Sequence, residues 1–259
     1  AGDHFARRPV TGAMSAGFSK DGAFAPLDVL GINYSLGVHD HVHKNLYPNK
    51  LIYSSESVSH SASRGEWQDK KHVYNNYDNH WVGWGDSLRK TWKFVDTREW
   101  DAGTFVWTGF DYLGEPTPYY SDWPSHSSLF GIIDLAGIPK DRYYLYRSHW
   151  NKDVETLHIL PHWNWEGREG EVTPVFVYTN YPTAELFING KSQGKRTKDL
   201  SVTVHNSGDS LSTANFKRQK RYRLMWMDTK YEPRTVKVIA YDKDGNSVAE
   251  KEKKTAGKP

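Results

Sequence analysis

The segment Lys50-Leu51-Ile52-Tyr53-Ser54-Ser55-Glu56-Ser57 joins a short apolar run to small polar residues and one carboxylate. Its apolar part, Leu51 to Tyr53, predicts a buried strand that ends near Glu56. In a barrel of parallel strands, catalytic groups lie at the C-terminal ends of the strands. The position of Glu56 therefore makes it the first candidate for a catalytic carboxylate.

Two further segments repeat this plan on either side. Residues 28–34 precede the segment and residues 103–115 follow it, and each stretch contains an apolar run that predicts a strand. The polar and aromatic residues at or after the ends of these two strands are Asn33, Tyr34, Trp107, Asp111 and Glu115. Tyr and Trp rings suit the flat, partly apolar faces of sugars because they keep a polar handle. Three successive strands with such ends predict a sugar-binding site.

These motifs, in this order and spacing, resemble the second half of the catalytic barrel of glycoside hydrolase family 2, closest to its bacterial β-galactosidases. They are Gly31-Ile32-Asn33-Tyr34, the run from Leu51 to Glu56, and Phe105-Val106-Trp107-Thr108-Gly109-Phe110-Asp111. The resemblance extends through residues 130–144 and into the immunoglobulin-like domain that follows the barrel in many such enzymes. It implies an α/β part followed by an all-β part: half of a TIM (β/α)₈ barrel over residues 1–152, then an immunoglobulin-like β-sandwich over residues 153–259.

The pattern of elements agrees with this division. Strands alternate with helices as far as a helix that begins at Asp141, and from about Leu157 the pattern predicts strands alone. Residues 184–188 alternate in polarity and end at Asn189-Gly190, a strong hairpin turn. Short strands with turn signals and no helices are typical of a β-sandwich. The charged residues 251–259 predict a frayed tail.

The first part holds four predicted strands, whereas a closed barrel needs eight and about 250 residues. Half a barrel leaves two parallel strands unpaired at its edges, which folded proteins avoid. We therefore expect the chain to be a C-terminal fragment whose missing N-terminal half is its partner. The fragment alone is expected to be inactive.

The resemblance also implies a mechanism. Retaining glycosidases use two carboxylates about 5–5.5 Å apart, one as the nucleophile and one as the acid/base. The family's nucleophile closes the seventh strand, which corresponds to Glu56. Its acid/base lies in an Asn-Glu pair after the fourth strand, and no Asn-Glu pair occurs in this sequence. The acid/base is therefore expected upstream, in the missing half.

The other candidates each have two interpretations. The phenol of Tyr34 either bonds to the nucleophile or packs in the barrel, and Asn33 is either a substrate ligand or structural. Trp107 resembles the family's sugar platform, with a core tryptophan as the alternative.

Asp111 and Glu115, which follow the last strand, also have two interpretations each. Asp111 either binds sugar hydroxyls or anchors a loop, and Glu115 either binds sugar hydroxyls or is a surface group. Trp123 in the following loop is a candidate wall of the pocket. In the sandwich, Trp163 and Trp165 favour an interdomain contact over a second sugar surface.

Two functions of different classes follow. The first is a retaining exo-glycosidase that acts on a glycoside or oligosaccharide, with β-galactosidase favoured and β-glucuronidase and β-mannosidase left open. The second is a non-catalytic carbohydrate-binding or scaffold protein that reuses these folds. The two differ in whether Glu56 forms a bond to the sugar.

Composition excludes several other classes. The formal net charge of +3 is carried by dispersed residues, so no nucleic-acid partner is expected. No run approaches the ~18 apolar residues of a membrane helix, so no membrane partner is expected either. The absence of cysteine fits a cytoplasmic or a periplasmic bacterial protein, with a periplasmic or secreted location favoured. No cofactor is expected, and a homo-oligomer is left open.

One segment suggests a metal site at first sight. His39-Asp40-His41-Val42-His43 places three histidines at alternate positions, which would share a face on a strand. The segment follows a predicted strand end and leads to Tyr47-Pro48, so a helix or loop is favoured. We therefore expect no metal site at these histidines, since such short motifs often occur by chance.

Overall fold

The computed structural model describes residues 8–19, 22–114, 127–201 and 219–257, without the side chains of Leu88 and Arg89. By internal contacts the chain forms two compact units. The first unit comprises Ala1–Ser61 and Trp81–Gly109, and the second comprises Ala62–His80 and Phe110–Pro259. The elements are mostly strands, with few helices, in the part of the chain that the structure describes.

The first unit is built on a four-stranded parallel sheet. Its strands are β1 (Thr11–Met14), β2 (Val29–Asn33), β3 (Leu51–Val58) and β4 (Asp101–Trp107), and they lie in the order of the chain. The four predicted strands are therefore confirmed, although the last one, expected over residues 104–110, begins and ends three residues earlier. That this sheet is one half of a closed barrel stays a prediction.

Helices lie between these strands in the sequence. Helix α1 (Leu36–His41) continues as a π-helix (Val42–Leu46), and α2 (Leu88–Val95) precedes β4. The hydroxyl oxygen of Ser87 accepts a hydrogen bond from the backbone N–H of Lys90, as expected of an N-cap residue. The His39–His43 segment is therefore helical, as favoured.

Residues of the sheet, of the π-helix and of the loops next to them form a small apolar core. Six buried residues form it: Phe24, Leu30, Ile32, Val42, Tyr47 and Ile52. In the middle of β2 stands Gly31, where a Cβ atom would lie 2.6 Å from the backbone oxygen of Gly12 and 2.9 Å from the hydroxyls of Ser55 and Tyr53. Since real Cβ atoms do not approach so closely, this position requires glycine.

The second unit contains two antiparallel sheets. One has the order β11-β10-β7-β8 and the other β5-β6-β9. Their bounds are β5 (Leu157–Leu160), β6 (Val175–Thr179), β7 (Thr183–Ile188), β8 (Lys191–Thr197), β9 (Leu224–Trp226), β10 (Thr235–Tyr241) and β11 (Ser247–Lys254). Buried residues from both sheets, among them Ile159, Val177, Leu186 and Val238, form one core. This arrangement is a β-sandwich.

Two local predictions in the sandwich have different outcomes. Asn189 and Gly190 both have positive φ angles, 48° and 81°, and connect β7 to β8 as the predicted tight turn. The prediction of a frayed tail is wrong for residues 251–254, because β11 pairs with β10 along its whole length. Backbone pairing to β10 outweighs the charged, exposed side chains of this edge strand, and such charges are common at sheet edges.

The second unit also contains helix α3 (Asp141–Trp150) and residues 62–80. A buried ion pair joins Nη2 of Arg223 to Oδ2 of Asp78 at 2.7 Å. The rings of Trp67 and His162 meet edge to face, and His162 stacks on Trp165. Residues 62–80 thus contact the sandwich. The boundary expected between residues 152 and 153 stays a prediction.

Within the described residues, no helix is both long and apolar enough to cross a membrane.

Candidate active site

Glu56 lies where the register of β3 is interrupted on both sides. Towards β2, Ile32 pairs with Ser54 but Asn33 pairs with Glu56, so Ser55 has no opposite residue in the register with β2. Towards β4, the pairing also shifts between Ser54 and Ser57. Such β-bulges re-aim side chains and are frequent next to active sites. The irregularity therefore singles out the part of β3 that carries the predicted nucleophile.

A chain of two hydrogen bonds holds the Glu56 carboxylate. Nδ2 of Asn33 donates to Oε1 of Glu56 at 2.9 Å, and the hydroxyl of Ser55 donates to Oδ1 of Asn33 at 2.7 Å. With its oxygen engaged by Ser55, the amide of Asn33 turns its N–H groups to the carboxylate. A bond to a charged group is stronger than one between neutral groups. Asn33 is therefore placed to orient Glu56.

Tyr34 lies beside the same carboxylate. Its backbone N–H donates to the backbone oxygen of Glu56 at 2.7 Å, and its phenol oxygen is 2.6 Å from the hydroxyl oxygen of Ser59. Burial, together with the negative charge of Glu56, holds the pKa of Tyr34 above its usual value. The phenol consequently keeps its proton at neutral pH and can donate a hydrogen bond to an anionic neighbour.

The backbone turns sharply where both strands end. Tyr34 and Ser35 after β2, and Val58 and Ser59 at the end of β3, have φ angles between 43° and 79°. This left-handed region is uncommon for residues other than glycine, and especially for a β-branched residue such as Val58. Non-glycine residues in this conformation cluster at functional sites, and here they bring the phenol of Tyr34 to Ser59.

Trp107 is the last residue of β4 and pairs in register with Val58 at the end of β3. Its side chain is only partly buried. The peptide bond that follows it, Trp107–Thr108, is cis. Trp107 and Glu56 thus lie at the C-terminal ends of neighbouring parallel strands in the same unit.

Asp111 belongs to the second unit, and its carboxylate is engaged there. Nζ of Lys140 lies 2.7 Å from one of its oxygens, and the backbone N–H of Gly131 donates to the other at 2.8 Å. Burial raises the pKa of Asp111 and lowers the pKa of Lys140 to about 8. Lys140 also donates to the backbone oxygens of Ala62 and Leu129. These contacts are those expected of the loop anchor, the alternative to a sugar ligand.

Of the predicted site residues, the structure brings Asn33, Tyr34 and Glu56 into direct contact and puts Trp107 in the same unit. Glu115 and Trp123 lie outside the described residues. Sequence reasoning gave no role to Ser55 or Ser59, which bond to Asn33 and Tyr34. The only signal for them was that small polar residues flank Glu56.

The histidines of the first unit have other contacts. Nδ1 of His39 lies 3.1 Å from a carboxylate oxygen of Asp101, and His43 stacks on Trp100 at 4.2 Å. Among the described residues, no group of three or more His, Asp or Glu side chains is arranged to hold a metal ion. In the second unit, Trp163 is a core residue, and its indole N–H donates to the backbone oxygen of Glu232.

Comparison with known proteins gives one family model and several relatives. Residues 170–249, within the sandwich, match a domain of unknown function, DUF4982. The chain is 40% identical over 272 residues to β-galactosidase BoGH2A of Bacteroides ovatus, covering 97% of this chain and 29% of that protein. A putative β-glucuronidase of Formosa agariphila is 41% identical over 54% of the chain, and a β-glucuronidase of Bacteroides fragilis is 27% identical over 60% of it.

Solved structures are similar over nearly the whole chain. A β-glycosidase from Bacteroides vulgatus superposes with a TM-score of 0.73 at 30% identity, covering 97% of this chain and 33% of that one. A glycosyl hydrolase family 2 member from Bacteroides cellulosilyticus has a TM-score of 0.65 at 27% identity, with coverage of 97% and 29%. The chain therefore spans about a third of the length of BoGH2A and of these two proteins.

Proposed function

The chain belongs to glycoside hydrolase family 2, as its curated and structural relatives show, and on that premise we propose that it is part of a retaining exo-β-glycosidase. The four parallel strands would be the second half of its (β/α)₈ barrel. The observation that carries the proposal is the hydrogen bond from Asn33 to Glu56, with Tyr34 beside the same carboxylate. A carboxylate that accepts a hydrogen bond from the neighbouring strand, at the end of a barrel strand, suits a nucleophile.

In this mechanism, a carboxylate oxygen of Glu56 attacks the anomeric carbon of the terminal sugar. The bond from that carbon to the glycosidic oxygen breaks, and the leaving oxygen takes a proton from a second carboxylic acid. Water then attacks the anomeric carbon of the glycosyl ester and gives a proton to the second carboxylate, and the sugar and the Glu56 carboxylate are released. We propose that the second carboxyl group lies outside these residues, since the chain covers only 29% of its relative. Residues 1–259 alone are then inactive.

Asn33 and Tyr34 would hold Glu56 in the orientation for attack. The neutral phenol of Tyr34 lies near the carboxylate and can donate a hydrogen bond to it. Trp107 would offer its partly exposed ring to the apolar face of the same sugar. Each of these groups acts by position, which lowers the entropic cost of reaching the transition state.

Galactose is the favoured sugar. The β-galactosidase relative matches 97% of the chain, whereas the two β-glucuronidases match 54% and 60% of it. A glucuronidase also needs a basic group for the substrate carboxylate, and we assign none among the predicted site residues. A β-glucuronidase is therefore the second candidate, supported by the names of those relatives.

The experiment that tests the proposal is covalent trapping. The complete protein is incubated with a 2-deoxy-2-fluoro β-galactoside that has a good leaving group, and in parallel with the matched glucuronide. We expect a mass increase of one fluorosugar from the galactoside, located on Glu56 by peptide mapping. Glu56→Gln should take no label and should lose ~10³-fold or more in kcat while remaining folded.

Labelling of Glu56 by the glucuronide alone would show that the substrate sugar is glucuronic acid, and Glu56 would remain the nucleophile. If neither reagent labels the protein while sugars still bind, the non-catalytic alternative holds. Label on a different carboxylate would remove Glu56 from the role of nucleophile.

A further inference from the structure

A segment of the first unit runs along the end of β3 and carries two tryptophans. The backbone N–H of Val82 donates to the oxygen of Ser59 at 3.4 Å, and that of Asp86 donates to the oxygen of Val58 at 3.2 Å. His60 and Trp81 also form an antiparallel bridge. Because residues 81–86 are bonded to the residues just beyond Glu56, their side chains are fixed relative to the candidate site.

The orientation of the Trp81 ring is fixed by stacking on the buried ring of His60. Its indole stacks on His60 with the ring centroids 5.5 Å apart and the planes at 28°. His60 is fully buried, whereas 38% of Trp81 is exposed. Because the ring of Trp81 is already fixed by His60, it loses little conformational freedom when a ligand binds. Its exposed part is therefore a preformed binding surface.

Trp84 is even more exposed, at 47%, and lies between Val82 and Asp86, whose backbone N–H groups are bonded to the end of β3. Its indole lowers the pKa of the Tyr34 phenol, against the larger effect of burial. The same phenol is close to the carboxylate of Glu56. Trp84 therefore lies in the segment that is bonded to the residues just beyond Glu56, and part of its ring is exposed.

From these contacts we propose that Trp81 and Trp84 form an aromatic wall that binds the sugar ring next to the one that is cleaved. Pyranose rings have flat, partly apolar faces that stack on tryptophan. In an exo-acting enzyme that neighbouring ring belongs to the leaving group, so the substrate class is an oligosaccharide rather than a simple glycoside. This inference rests on the proposed function and adds its leaving-group site.

The test compares two substrates of the complete protein. One is the glycosyl fluoride of the sugar that labels Glu56, which has no ring in its leaving group. The other is a β-linked oligosaccharide that ends in the same sugar. For Trp81→Ala, we expect the ratio of kcat/KM for the oligosaccharide to kcat/KM for the fluoride to fall about tenfold, the factor that ~1.4 kcal/mol of lost binding produces. Trp81→Phe, which keeps a flat ring, should restore most of the ratio.

Two controls accompany this variant. Trp150→Ala removes a tryptophan of similar exposure, 49%, on helix α3 of the second unit, and should leave the ratio unchanged. Trp81→Leu keeps apolar volume without a flat ring, so it gives the same answer as Trp81→Ala if the alanine variant does not fold. Trp84 variants are informative only beside the Trp81 variants, since Trp84 also affects the phenol of Tyr34.

Three outcomes would overturn the inference. Equal losses for both substrates would mean that Trp81 only supports the end of β3. An unchanged ratio together with a lower melting temperature would mean that another part of the protein covers the ring. If Glu56 takes no label and neither substrate is hydrolysed by the wild type, the proposed function fails and this inference falls with it.

Discussion

The side-chain amide of Asn33 donates a 2.9 Å hydrogen bond to Oε1 of Glu56, across 23 residues of chain and between two parallel strands. The bond exists because Ser55 engages the other end of the amide and because the register of β3 shifts at this point. The orientation of the predicted nucleophile thus depends on its neighbours on β2 and β3.

Replacing Asn33 by alanine should lower kcat by about tenfold to a hundredfold, since a hydrogen bond to a charged group contributes about 1.5–3 kcal/mol. Ser55→Ala should have a smaller effect, because it removes only the bond that fixes the amide. Steady-state kinetics of both variants and the double variant would show that the two effects are not additive. A kcat for Asn33→Ala within twofold of wild type would leave Asn33 a structural role only.

Replacing Trp107 by alanine should lower kcat/KM by at least tenfold, because a ring stacked on the sugar both binds and orients it. Trp107→Phe should retain a larger part of the activity, since it keeps a flat face at the end of β4. Kinetics and thermal unfolding are measured on the same samples. If the alanine variant is less stable but has an unchanged kcat/KM, the residue is a core tryptophan.

Replacing Asp111 by asparagine should destabilise the second unit by about 3–5 kcal/mol, because it leaves the buried amino group of Lys140 without its countercharge. Urea unfolding measures this loss. Glu250→Gln, which removes an exposed partner of Lys237, is the matched control and should change stability far less. The opposite result, normal stability with a raised KM, would support the sugar-binding interpretation of Asp111.

The pair formed by His158 and Asp141 should make stability depend on pH. Nε2 of His158 lies 2.6 Å from a carboxylate oxygen of Asp141, and burial lowers the pKa of His158 in spite of this partner and with the help of Lys253 and Lys251. A lowered histidine pKa means that the unfolded chain binds a proton more readily. The contribution of this histidine is therefore complete above about pH 6.5 and is lost as the pH falls towards the lower folded value.

The measurement is urea unfolding of wild type and His158→Gln between pH 5 and pH 8. The difference in unfolding free energy between the two proteins should shrink as the pH falls. A difference that stays constant across this range would show that His158 does not titrate between the folded and unfolded states.

Local patterns explain which elements could be predicted. The apolar run before Glu56 indicates β3, Ser87 is a good helix cap, and Asn189-Gly190 favours the left-handed turn that joins β7 to β8. Each of these depends on residues close together in the chain. The strand β11 was missed for the same reason, since its charged side chains carry no local sign of the pairing with β10.

The sequence by itself therefore determined the succession of strands and helices, the family resemblance, and the choice of Glu56, Tyr34 and Trp107 as candidates. The tertiary structure alone decided which side chains meet. The bulge around Glu56, the bond from Ser55 to Asn33, the stacking of Trp81 on His60 and the pairing of Asp78 with Arg223, 145 residues apart, all need a partner from another element. Periodicity shows which face of an element is buried. It does not show which residue of a distant element lies opposite, because that depends on register and on packing.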